Sequence, residues 1–301
     1  MNEKDLEERM ERLGYAYLDP NVSQLDKVTD ILEKIKGVPE YCRAFNYLLS
    51  VTKKLDESGL RNDYAFLGGY AVFAHIFSVL GESSLKRWRG SEDLDLFSKG
   101  KCVSNIIGRH FEETETLGTH FMNKSSILVK DLLELCRDEK LKPLKIDFYN
   151  SFNGIDMIFD GQILDGEFWN RTELIEILGF KIKVLGLYDL LKLKINIKTK
   201  STNLPRPRDI TDIYNLIGVA EKKGKDAKSL FDSCNKEQKE RLIKLFDISP
   251  SYETSEEVLI NPSNQLILQF KKLYEDEIEM EKIKAEAEKL EKISKKAGGN
   301  L

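Results

Sequence analysis

One stretch, from Phe66 to Leu96, restricts the folds open to this chain more than any other. Phe66-Leu67-Gly68-Gly69-Tyr70 opens an apolar run from Ala71 to Leu80, and a polar loop then leads to Arg89-Gly90-Ser91-Glu92-Asp93-Leu94-Asp95-Leu96. Tyr64 to Leu67 reads as a strand that hands over to a helix at the two glycines. Glycine at such a junction lets backbone N–H groups approach a phosphate with no side chain in the way. Asp93 and Asp95 alternate with Leu94, Leu96 and Phe97, so on a strand both carboxylates point to one face. Two carboxylates on one face suit a hard cation. Either feature alone is ordinary turn or strand chemistry; their order along the chain is far more restrictive.

The remainder of the chain supplies scaffold. It has 301 residues, 41% hydrophobic and 33% charged, enough for a catalytic-sized domain and a second helical unit. The net charge of −4 advertises no nucleic-acid binding as a whole, so any basic surface must be local. Cys42, Cys102, Cys136 and Cys234 are scattered, with no Cys-x-x-Cys or Cys/His pairing, which argues against zinc and a disulfide framework. Met1 to Pro20 is charged and lacks the apolar core of a signal peptide, and no run is long and apolar enough to span a membrane. These features together lead us to expect a soluble cytoplasmic protein with no membrane partner.

In chain order, Ser23 to Leu55 has helical spacing broken at Gly37-Val38-Pro39, and Lys101 to His110 suggests a short helix before a polar strand from Glu112 to Phe121. From Lys140 to Asn150, Leu144, Ile146 and Phe148 alternate with Lys145, Asp147 and Tyr149, a strand with Asp147 on its wet face. Leu174 to Val184 reads as two strands turning at Gly179. Leu187, Leu190, Leu191, Ile195 and Ile197 mark a helix whose apolar stripe also holds Lys194 and Lys198. Lys192 falls instead beside Asp189 at i, i+3, the spacing of a surface ion pair. Pro205 and Pro207 end that helix and place Asp209 at the start of the next, where an acid also suits the helix dipole with no further role. Six basic residues and no acid lie between Leu190 and Arg208 (Lys192, Lys194, Lys198, Lys200, Arg206, Arg208), a run that reads as a cationic wall or a solvated face. Helices follow over Ala227 to Cys234, Lys236 to Phe246 and Pro262 to Lys296. The last has a seam of Leu266, Phe270, Leu273, Met280, Ile283, Ala287 and Leu290, suited to packing on the domain or to a partner helix.

The Gly-Gly helix start followed by Asp-x-Asp resembles the signature of the polymerase-β-like nucleotidyltransferase superfamily. The form Arg89-x-Ser91-x-Asp93-Leu94-Asp95-Leu96, with a helix lysine and Arg208-Asp209-Ile210-Thr211-Asp212 further on, is similar to the AbiEii-type branch, which includes toxins of toxin–antitoxin pairs. The likeness covers about Tyr64 to Leu216, and the loop between the lysine and Arg208 is longer than the pattern. It implies an α+β fold, a nucleotidyltransferase core with a small mixed sheet over 56–184, between an N-terminal helical extension (1–55) and a C-terminal helical domain (185–301). It also implies transfer of a nucleoside monophosphate from an NTP to an acceptor hydroxyl, most readily RNA or tRNA, with an antitoxin protein as a possible partner. By the resemblance Asp93, Asp95 and a third acid hold Mg2+ (or Mn2+). Asp147 is preferred for that third place over Asp156 on the next strand. Gly68, Gly69 and Ser91 would cradle phosphate, and Lys194, with Arg208 and Asp209, would serve the triphosphate.

Two other classes fit the same residues. A transferase acting on a small molecule or a protein would use the same core; for a small cationic acceptor an acidic cleft is expected, not a basic wall. A non-catalytic nucleotide-binding or antitoxin-like module would keep the fold and lose an acid.

Overall fold

The computed structural model describes residues 42–84, 91, 93–99, 102–103, 106–107, 113–118, 124–129, 144–151, 157–159, 162–177, 179–197, 205–248 and 258–298. The first half of the expected N-terminal helix pair, Asp156, Lys198 and Lys200 lie outside these residues.

The architecture is α+β, with a mixed sheet followed by helices. Helix α1 (Cys42–Glu57) precedes β1 (Tyr64–Leu67), which runs directly into α2 (Gly68–Leu80). Strands β2 (Asp93–Lys99), β3 (Glu113–Gly118), β4 (Lys124–Val129), β5 (Leu144–Ser151), β8 (Glu173–Ile177) and β9 (Phe180–Val184) complete a seven-stranded sheet in the order β3-β4-β5-β2-β1-β9-β8. The pairs β1–β9 and β2–β5 are parallel; β1–β2, β3–β4, β4–β5 and β8–β9 are antiparallel. A separate hairpin joins β6 (Met157–Phe159) and β7 (Gln162–Leu164). The polar strand expected over 112–121 is present as β3, whereas β4 carries no alternation that had marked it as a strand.

Helix α2 is apolar around its circumference, and every residue from Gly69 to Ile76 is buried. A helix of that kind needs cover on all sides. It packs against β1, β2, β8 and β9 and against α4 (Pro207–Lys222). Its buried His75 is joined through Nε2 to the Leu185 carbonyl at 2.9 Å. The core continues through Tyr64, Phe66, Phe97 and Phe168, all fully buried. Buried aliphatic and aromatic side chains of this size contribute about 1.5–3 kcal/mol each.

After β9 come α3 (Leu187–Asn196), α4, α5 (Ala227–Ser233), α6 (Lys236–Ile248) and α7 (Asn264–Gly298). The chain entering α7 is bound to α4 by the buried Asn215, whose Oδ1 accepts from the N–H groups of Leu259 (2.8 Å) and Ile260 (3.1 Å). Gly218 makes room for that strap, since a Cβ there would fall 2.1 Å from the Ile260 oxygen. The α7 seam divides in two: Leu266 and Phe270 are buried, and Met280, Ile283 and Leu290 are exposed. Among the described residues no helix is long and apolar enough to cross a membrane.

Candidate active site

The site is built by strand register. Parallel pairing of β2 with β5 sets Asp95 beside Asp147 on one rung of the sheet. Asp93 lies two residues back on β2 and so shares the face. The three carboxylates each bring an oxygen to within 4.8 Å of the others, with Asp147 buried and the other two half-buried. Hard oxygen donors at this spacing fit one or two divalent ions, which need anionic oxygen ligands shared between them. Strand β1 pairs with β2 on the other side, and its last residue, Leu67, stands opposite Asp95. The turn out of β1 therefore delivers the N-terminus of α2, whose first N–H groups have no partner within the helix, to the acids.

The glycines have a steric reason that the sequence does not display. Gly68 has φ of +67°, and a Cβ on it would lie 2.2 Å from Asp95 Oδ2; a Cβ on Gly69 would lie 2.7 Å from Ser91 Oγ. What occupies the space of the missing side chains is thus the site's own carboxylate and hydroxyl. The bare backbone lets Asp95 seat against the helix start. Ser91 Oγ donates to Asp93 Oδ1 at 3.2 Å, and Tyr70 Oη reaches the Ser91 carbonyl at 3.4 Å. Ser91, placed among the phosphate-cradling residues from the sequence, here orients an acid.

Tyr149, two residues beyond Asp147 on β5, donates from its phenol to Asp95 Oδ1 at 3.4 Å. Burial, followed by the charges of Asp95, Asp147 and Asp93, pushes its pKa far above the ordinary tyrosine range.

No protein-family model matches the chain, and no curated protein sequence does. Among solved structures, the fold is similar to JHP933 from Helicobacter pylori, over 88% of this chain and 100% of that one, at 13% identity and a TM-score of 0.42. It is also similar to an antigenic nucleotidyltransferase-like protein from Paracoccidioides brasiliensis, over 71% of this chain and 91% of that one, at 17% identity and a TM-score of 0.42. Likenesses this distant carry no functional weight, and the chemistry must be read from this chain's own residues.

Lys194, Asp209 and Arg208 do not enter the carboxylate triad just described. Lys194 faces inward, in keeping with its place on the apolar stripe, but its ammonium is enclosed by Asp209 Oδ1 (3.0 Å) and Asp212 Oδ2 (2.7 Å). Arg206 Nε adds a further bond to Asp209 Oδ2 at 2.6 Å. Burial alone would lower the Lys194 pKa; Asp212 and Asp209 more than reverse this and hold it above the usual lysine value. Burial likewise pushes Asp209 up, and Lys194 and Arg206 bring it below the aspartate value. This group staples α3 to the first turns of α4. Arg208 is exposed. Lys192 lies 3.9 Å from Asp189, whose carboxylate is also gripped by Arg171 at 2.7 and 3.0 Å.

Tyr149 was the residue missed. Its signal was present, because it shares the alternating wet face with Asp147, but a tyrosine at the edge of such a pattern is ordinarily taken for packing.

Proposed function

We propose that the chain is a metal-dependent nucleotidyltransferase of the polymerase-β-like kind. The observation that carries this reading is the meeting of Asp93, Asp95 and Asp147 within 4.8 Å beside the glycine-led N-terminus of α2. Carboxylates and helix N–H groups are the two donor sets that a nucleoside triphosphate with its cation requires. Asp93 and Asp95 would hold the ion that accompanies the triphosphate, and Asp95 with Asp147 a second. Bound Mg2+ (or Mn2+) would neutralise phosphate charge and lower the pKa of the attacking hydroxyl. In the reaction the acceptor hydroxyl loses its proton to water and its oxygen bonds to the α-phosphorus, the bond from that phosphorus to the α,β-bridging oxygen breaks, and pyrophosphate leaves. The backbone at Gly68 and Gly69 receives the phosphates, and Ser91 and Tyr149 keep Asp93 and Asp95 oriented.

RNA or tRNA is the proposed acceptor. The basic residues Lys192 and Arg208 support it, whereas Lys194, buried against two acids, and Arg206, bonded to Asp209, are subtracted from the cationic wall. The AbiEii-type resemblance extends the proposal to the toxin of a toxin–antitoxin pair. Incubation with each α-labelled NTP and total RNA tests the reading. Label should appear in RNA with one or few of the four nucleotides; label confined to protein or to a small molecule would contradict the RNA acceptor and leave the transferase.

A further inference from the structure

We infer that Tyr149 is a positioning residue for Asp95, fixing the orientation in which that carboxylate is shared between two divalent ions. The inference rests on the nucleotidyltransferase reading above. Alternate rungs of the β2–β5 pairing carry Asp95 beside Asp147 and then Phe97 beside Tyr149, with Leu96 beside Phe148 between them. The phenol therefore stands two residues along β5 from Asp147 on the same face, and its Oη reaches Asp95 Oδ1 at 3.4 Å.

The ring has little freedom to be anywhere else. It meets Phe97 edge to face at 6.1 Å, Phe97 meets Phe168 at 5.0 Å, and Phe168 meets Trp169 at 5.0 Å. An aromatic floor thus carries a single O–H up to the metal-binding face.

The two oxygens of Asp95 have different surroundings. Oδ2 is pressed against the start of α2, where only a glycine leaves space for it. Oδ1 faces the phenol. An ionised carboxylate only accepts, so the phenol must be the donor, and it engages one lone pair of Oδ1. Held from both sides, Asp95 would keep one orientation when it is shared between two ions. Without the O–H its carboxylate would turn more readily. Donors behind a metal ligand commonly change metal affinity by about 10- to 100-fold when removed.

Tyr149→Phe keeps the ring and its packing on Phe97 and removes only the donor. Mn2+ titrations of the full chain, followed by electron paramagnetic resonance with a non-hydrolysable NTP present, read the two ions separately. Wild type should take up two ions. In Tyr149→Phe the first should bind within about twofold of wild type and the second about 10-fold more weakly. The kcat should fall with the KM for NTP unchanged, and the melting temperature should hold. Unchanged affinity for both ions would overturn the inference and leave the transferase reading standing. Equal weakening of both would also overturn it, making Tyr149 a general support of the site. Uptake of no Mn2+ by wild type would remove the nucleotidyltransferase reading and this inference with it.

Discussion

Asp93, Asp95 and Asp147 gather on one face of β2 and β5, and Asp209 and Asp212 gather in the first turns of α4. In the second group the chain supplies its own cations: Lys194 bridges the two acids, Arg206 closes on Asp209, and that carboxyl lies below its ordinary pKa. In the first, hydroxyls of Ser91 and Tyr149 donate to the acids, and the summed negative charge is felt at Tyr149. An ion pair that joins two packed helices is complete without a ligand, whereas three carboxylates meeting within 4.8 Å form a group that a divalent cation fits. An acidic motif acquires a functional meaning from the charges around it as much as from its spacing.

The largest effect should come from the triad. Asp147→Asn removes one ligand charge and should lower nucleotidyl transfer by about 5 kcal/mol of transition-state stabilisation, on the order of 10³- to 10⁴-fold, in a label-transfer assay. The same substitution relieves like-charge repulsion, so the metal-free protein should melt no lower than wild type. A lower melting point would mean that Asp147 is structural and the contrast between the clusters is false.

Lys194→Ala should act in the opposite way. Leaving Asp209 and Asp212 buried without their partner should cost about 3–5 kcal/mol of stability, measured by urea unfolding. A stable variant with impaired transfer would make Lys194 a substrate ligand and break the comparison from the other side.

Acid titration separates the clusters from a third buried group. His75 Nδ1 has no hydrogen-bond partner and lies 4.0 Å from Glu173. Burial, partly opposed by Glu173, lowers its pKa from 6.5 to about 4. Between these values the unfolded chain binds a proton that the folded chain does not, so stability falls as pH drops from 6.5 to about 4. The loss should reach about 3 kcal/mol. Stability lost through Asp209 appears only below the aspartate range, because its folded pKa is depressed. Unfolding curves of His75→Gln should show no loss in the upper window; an unchanged slope there would assign it to other groups.

A smaller effect is expected at the helix start. Gly68→Ala places a Cβ at positive φ, costing about 1–2 kcal/mol, and displaces Asp95 Oδ2 from its seat. Mn2+ affinity should fall with it. A variant with wild-type Mn2+ binding would show that Asp95 does not depend on the glycine.

Much of the first cluster could be read from residues in order. The glycine turn, the alternation at Asp93 and Asp95 and that at Asp147 are local patterns, and each appears in the structure as the strand or helix start it implied. The rung shared by Asp95 and Asp147 was not legible, because β2 and β5 are separated by two strands whose pairing is long-range. For Lys194 the helix phase was legible and the partner was not: periodicity gives the direction of a side chain, and only packing of α3 on α4 supplies Asp209 and Asp212. The spacing of Arg208-Asp209-x-x-Asp212 suggested a substrate element; within the fold, its two acids are satisfied by the chain itself.

Transfer from α-labelled NTP in Mg2+, comparing wild type with Asp95→Asn, tests the central claim most directly. Wild type should move label to an acceptor and release pyrophosphate, both abolished by EDTA, and Asp95→Asn should do neither while melting like wild type. Label transfer that survives Asp95→Asn, or a wild-type protein that transfers none of the four nucleotides, would contradict it.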